Sequence, residues 1–243
     1  MNINSTISTI DICRGELTSL EERINGRLPD PSQLLPEKLA AALLGLRDVI
    51  PPWFIPLMEN ARRRFTQSSP AWEAFHDNLM DEVKERHDEL LRQFIDQSDA
   101  PKFLLLDSVR QDVALIKERV EKELFPRFRE YMEGEDIAPI VSLMTALEVT
   151  SNAPVQWIKT VGSEYLNNPD TTWADIHGPA DAKHSEVLLQ VFADLVDEGK
   201  IPMRRPDQPR SRERMTERVT WPFNTAYDMW DMTLCYMLPR ERW

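Results

Sequence analysis

Histidine is scarce in this chain, with four residues in 243: His76, His87, His177 and His184. The last two frame a short constellation, because His177, Asp181 and His184 are spaced four and three residues apart. At ~100° per residue such positions fall within ~60° of arc on one helical face. Two imidazoles and a carboxylate on one face can share a metal ion, and N/O donors of this kind suit iron, manganese or zinc. The same spacing also serves a solvated face that binds nothing. Gly178-Pro179 lies inside the constellation. Proline belongs in a helix's first turn. Either the helix begins at Pro179 with His177 just outside it, or it is kinked there and His177 is re-aimed.

Metal sites in helical bundles draw carboxylates and histidines from several helices, all pointing inward. Glu148 sits in Leu143-Met144-Thr145-Ala146-Leu147-Glu148-Val149, an almost wholly apolar segment. A carboxylate buried there needs a partner; its other place is the outer stripe of the helix. Glu82 and His87 stand in a run dense with charge, including Asp81, Lys84, Glu85, Arg86, Asp88 and Glu89, where a solvated face is the ordinary reading. Their spacing of five puts them ~140° apart on an ideal helix. They converge only if the helix is bulged or locally unwound, which occurs at functional sites. Asp77, Asp81 and Glu85 are the alternative carboxylates.

Taken in order, these residues resemble the heme-oxygenase-like di-iron oxidases and oxygenases. Those proteins are helical bundles that share their fold with heme oxygenase and thiaminase-like proteins but bind a non-heme di-iron cofactor. The family pattern is a Glu and a His from one core helix, a Glu from a second, and His-x3-Asp-x2-His from a third. His177-Gly-Pro-Ala-Asp181-Ala-Lys-His184 matches the third element in full, and Ala146-Leu-Glu148 resembles the second. Asn78-Leu-Met-Asp-Glu82 followed by His87-Asp-Glu-Leu90 resembles the first, so that the likeness covers about residues 40 to 200. It implies an all-α, heme-oxygenase-like bundle holding two Fe(II) ions on Glu82, His87, Glu148, His177, Asp181 and His184, with dioxygen as co-substrate. It further implies a small-molecule substrate, an amine or amino acid of a secondary-metabolite pathway, that is N-oxygenated or oxidatively cleaved at a C–C bond. The competing reading is a metal-free helical scaffold or partner-binding protein.

The elements that must position these residues read as helices throughout. Leu17, Leu20 and Ile24 form a stripe ahead of the loop Leu28-Pro29-Asp30-Pro31. A helix starting near Pro36 carries Leu39, Leu43 and Leu46, and Pro51-Pro52 is expected to stop it. A segment from Trp53 to about Thr66 follows. Ser68-Ser69-Pro70 then opens a long polar helix expected to run through Asp96. A further helix spans Pro101 to about Met132 with a kink or break at Pro126, and Gly134-Glu135-Asp136 makes a turn. The apolar helix from Ile137 to about Asn152 has Pro139 in its first turn and resumes past Pro154 to about Tyr165. After the turn Asn167-Asn168-Pro169-Asp170, Thr171 or Thr172 caps a helix to about Glu198. Residues 201–212 form a Pro- and Arg-rich loop. The segment 213–239, rich in aromatics and methionine, roofs the substrate pocket, closes the core or makes a homodimer contact. No β-alternation or internal repeat is found. Seven or more helices in a bundle follow, divided into an N-terminal arm (1–35), a di-iron core (36–200) and a C-terminal loop and helix packing on it (201–243). Two further features are open. Glu59 either adds a carboxylate near the metals or pairs with Arg62 or Arg63. Arg204 and Arg205, or Arg210 and Arg212, either bind a substrate carboxylate or are solvated.

The bulk numbers narrow the function classes. The length suits one large domain with a sizeable core. Seven glycines disfavour a glycine-rich nucleotide fold, and eighteen prolines punctuate helices. A formal charge of −12 argues against nucleic acid and against an anionic membrane surface as partners. Cys13 and Cys235 form no CxxC pair, so no disulfide framework is expected and a reducing cytoplasm is the default location. The first residues lack the basic and apolar regions of a signal peptide. No apolar stretch is expected to approach the ~20 residues of a membrane span.

Overall fold

The structure, a computed structural model, describes residues 8–201 and 215–238, with side chains for all of these except 178–182 and 215–221. Among the described residues it is all-helical, with eleven α-helices and no strand. The first is α1 (Thr9–Arg27), capped by Ser8, whose Oγ accepts from the Asp11 amide. Its Cys13, Leu17, Leu20 and Ile24 are buried, packing it on the later helices. Then come α2 (Pro36–Val49) and α3 (Pro51–Arg63). Pro51-Pro52 ends α2 as expected, although the chain turns straight into α3. Ile50 keeps helical angles (φ −74°, ψ −53°), and the prolines fill the first turn of α3, where a missing N–H is tolerated.

This near-continuity also corrects the expectation about apolar stretches. Pro36–Arg63 has an 18-residue window of mean hydropathy 1.3, long and apolar enough to cross a membrane by length and composition alone. However, 56% of that window is buried inside the fold. The run from Leu39 to Leu46 is wholly buried, so its apolar character reflects a core helix covered by neighbours all round.

The segment expected as one helix to Asp96 is two. Ser69 caps α4 (Pro70–Glu85), which ends at Arg86 in the left-handed region (φ 56°, ψ 42°), and α5 (His87–Gln97) begins at once. A short 3-10 turn (Ala100–Leu105) leads into α6 (Asp107–Glu123), and Pro126 sits in the first turn of α7 (Phe125–Glu133). The central helix is α8 (Ala138–Thr150), buried along almost its whole length and packed against α1, α3, α10 and α11. Next, α9 (Asn152–Thr160) runs into a π turn (Val161–Tyr165). The long α10 (Thr172–Asp197) contains Gly178-Pro179 within it, so the helix does not begin at Pro179. Finally, α11 (Met215–Thr233) closes the core with buried Tyr227, Met229, Trp230 and Met232. Ion pairs from Arg27 to Asp231 (2.7 Å) and Arg127 to Asp228 (2.6 Å) tie it to α1 and α7.

One tight contact links the frame to the site. A Cβ at Gly162, in the π turn, would lie 2.3 Å from Cζ of Phe94 on α5. Phe94 packs on Trp173 (centroids 5.9 Å apart), and Trp173 on His177 (4.7 Å). An aromatic ring in a filled core cannot swing aside freely. Gly162→Ala therefore overpacks the site's floor at a cost of ~1–3 kcal/mol. The variant should melt roughly 3–10 °C lower than the parent. An unchanged melting temperature in a circular-dichroism scan would show that the glycine is not required there.

Candidate metal centre

The break at Arg86 is what brings Glu82 and His87 together. On an unbroken helix they would diverge; with one left-handed residue between α4 and α5, His87 Nδ1–H donates to Glu82 Oε1 at 2.8 Å. The local unwinding that the spacing of five demands is thus present. A non-glycine residue in that region costs ~1 kcal/mol or more and persists only when its surroundings over-determine it. Here the inward-facing His87, Leu91, Phe94 and Ile95 of α5 do so.

His87 is 1% exposed, and its second nitrogen is also held: Nε2–H donates to Glu85 Oε2 at 2.8 Å. Carboxylates only accept when ionised, so a ring donating at both nitrogens is an imidazolium. Burial opposes that charge. The hydrogen bond and charge of Glu82, helped by Glu85, outweigh it and push His87 up to about 9.

His177 behaves in the opposite way. Its Nδ1–H donates to the Trp173 carbonyl one turn back on α10 (3.1 Å), and a carbonyl can only accept. That fixes the tautomer and leaves the Nε2 lone pair available, the arrangement typical of a metal-bound imidazole. Burial pushes His177 down to about 4, and the positive His87 adds to this against the pull of Glu82. The two rings lie 4.2 Å apart between centroids. One donor atom from each of Glu82, His87 and His177 lies within 4.8 Å of the others. Ligands ~2.1 Å from a shared ion stand ~3 Å apart when cis and ~4.2 Å when trans. The three donors are thus near enough to close on one ion with some rearrangement, and their N/O chemistry suits iron.

His184, expected on the same face, joins a different partner. Its Nε2 lies 3.1 Å from Oδ2 of Asp81, the residue next to Glu82 on α4. Its Nδ1 is buried and has no hydrogen-bond partner among the described residues. Glu148 is 4% exposed, so the outer-stripe alternative does not hold. It lines the same cavity as Glu82, His87 and His177. Its backbone carbonyl accepts from Ser185 Oγ at 3.0 Å, which sets this part of α8 beside His184 on α10. The Asp181 side chain lies outside the described residues.

The cavity opens to solvent and, with the space before its mouth included, encloses about 700 Å³. Its walls are apolar, with Phe54, Leu91, Trp173 and Trp230 among them. Reasoning from sequence missed Trp173, Ser151 and Asp88 as lining residues. Trp173 was detectable as the residue one turn before His177, whereas Asp88 is hidden among like charges. Glu59 is not in the cavity wall. It pairs with Arg62 and Arg63, each at 2.8 Å, so the added-carboxylate reading is dropped. Arg204, Arg205, Arg210 and Arg212 lie outside the described residues.

The chain matches no family model, no curated protein and no solved structure. The functional reading therefore rests on the residues and their geometry.

Proposed function

We propose that this chain is a heme-oxygenase-like, non-heme di-iron oxidase or oxygenase that activates dioxygen on a small amine or amino acid. The observation that carries this reading is the His177 lone pair, freed by the Trp173 carbonyl and gathered with Glu82 and His87 at one end of an apolar cavity. Those three residues would hold one ion. Glu148, Asp181 and His184 would hold the second. When bound, the iron ions supply the electrons that reduce dioxygen. The chain's own share is to present neutral imidazoles and carboxylates, to orient the substrate and to keep water out with apolar walls. Buried Cys13 and Cys235, in no disulfide among the described residues, suit a reducing compartment, and a cytoplasmic location is part of the proposal.

Metal analysis of protein grown with added iron tests this against a metal-free scaffold. Wild type should hold about two iron ions per chain and His184→Ala about one or fewer. Equal iron in the two proteins would remove the di-iron reading. Stopped-flow mixing of the iron-loaded protein with dioxygen and substrate should give a transient visible band. Product mass then separates oxygen insertion from carbon loss.

A further inference from the structure

The cavity also carries a charge asymmetry that selects among substrates. No lysine or arginine lines it among the described residues. Its ionisable lining consists of Glu82, His87, Glu148 and His177, all spoken for by the metal reading, together with Asp88; Ser151 and the indoles of Trp173 and Trp230 add neutral polar groups. Asp88 is half-buried in the first turn of α5 and makes no hydrogen bond or ion pair among the described residues. It is a carboxylate facing an apolar volume, with no ion-pair partner among the described residues. Phe54, Trp173 and Trp230 add aromatic walls, whose faces attract cations. A free carboxylate brought into this space would find no lysine or arginine among the described residues to offset its desolvation, and the one cationic ring in the wall, His87, already has both nitrogens on Glu82 and Glu85. An ammonium group would find Asp88.

We propose that the substrate is an apolar primary amine without a free carboxylate, seated with its hydrocarbon or aryl body in the cavity and its ammonium on Asp88. This narrows the amine-or-amino-acid class named above and rests on that reading only in taking the cavity as the substrate site. Asp88 is then a binding residue, separate from the metal ligands.

The test is equilibrium binding under anaerobic conditions, with and without Mn(II), read by calorimetry and by tryptophan fluorescence. The probes share one skeleton: 2-phenylethylamine, 2-phenylethanol, 3-phenylpropionate and phenylalanine. The amine should bind about tenfold or more tightly than each of the others, the scale of a hydrogen bond to a charged group. Asp88→Asn should weaken the amine by about tenfold and leave the alcohol unchanged, which also checks that the variant is folded, and Asp88→Glu should restore part of the loss. The Asn variant should keep the wild-type metal content. Several outcomes overturn the proposal: no amine binding at millimolar concentration, equal or tighter binding of the acid or amino acid, undiminished amine binding to Asp88→Asn, or loss of metal in that variant. Iron analysis of the same samples keeps the two readings apart. Amine preference in a protein that takes up no iron leaves the substrate class standing and removes the di-iron assignment. Iron uptake without amine preference does the reverse.

Discussion

Manganese(II) should bind the metal-free protein about 50-fold more tightly at pH 9 than at pH 7. The expectation follows from the two histidines of the Glu82–His87–His177 group, which start from opposite protonation states. His177, held down at about 4, presents its lone pair throughout this range. His87, pushed up to about 9, is an imidazolium with both nitrogens donating to carboxylates. An imidazolium cannot ligate, so an ion must displace its proton. Each pH unit below the pKa then weakens binding about tenfold for one displaced proton. Anaerobic titration followed by the electron-paramagnetic signal of free Mn(II) measures the slope. Calorimetry at pH 7 in buffers of different ionisation enthalpy counts about one proton released per ion. A flat pH profile without proton release would mean that His87 is not a ligand.

The parts of this site that could be seen in the sequence are those fixed by local chemistry. Ser69-Pro70 and Pro36 start helices where expected, because capping and proline geometry act within a turn. Glu148 stands out because a carboxylate in an apolar run is costly wherever that run is buried. The spacing of Glu82 and His87 shows that the helix must give way, but not where. Arg86 carries no glycine-like signal. It is left-handed because the apolar side of α5 must face the core, and that requirement is tertiary. The pairing of His184 with Asp81 was likewise out of reach, since it depends on how α10 lies against α4. Asp81 and Glu82 are adjacent, and nothing local assigns one histidine to each. The apolar run Pro36–Arg63 shows the reverse problem. Composition alone does not separate a helix buried by neighbours from one buried by lipid.

Replacing Glu82 by glutamine should return the His87 pKa to its ordinary range and weaken Mn(II) binding ~100-fold at pH 9, where the parent no longer has to displace much of the His87 proton. The amide keeps the size of the side chain and an oxygen to accept from His87 Nδ1–H, so geometry is conserved while the charge is lost. His87 is then left with burial, which disfavours its charged form, and with Glu85. That carboxylate is 46% exposed, so solvent and salt screen it. The imidazole returns to its ordinary value of ~6.5 or below. Histidine resonances followed by NMR report this directly. Thermal stability gives an independent sign. In the metal-free parent, the raised pKa of His87 contributes stability that is full below ~6.5 and is lost as pH rises through about 9. The parent's melting temperature should therefore fall across that window, and Glu82→Gln should flatten the fall. The pH slope of Mn(II) binding should flatten with it, because no proton remains to be displaced above pH 7. Glu85→Gln is the control: it removes the screened partner and should move the His87 pKa far less. If Glu82→Gln leaves the titration of His87 where it was, the charge that sets this site lies elsewhere. If it lowers the pKa but leaves metal affinity intact, Glu82 tunes His87 without ligating the ion. The two readouts together thus separate an electrostatic partner from a metal ligand at one carboxylate.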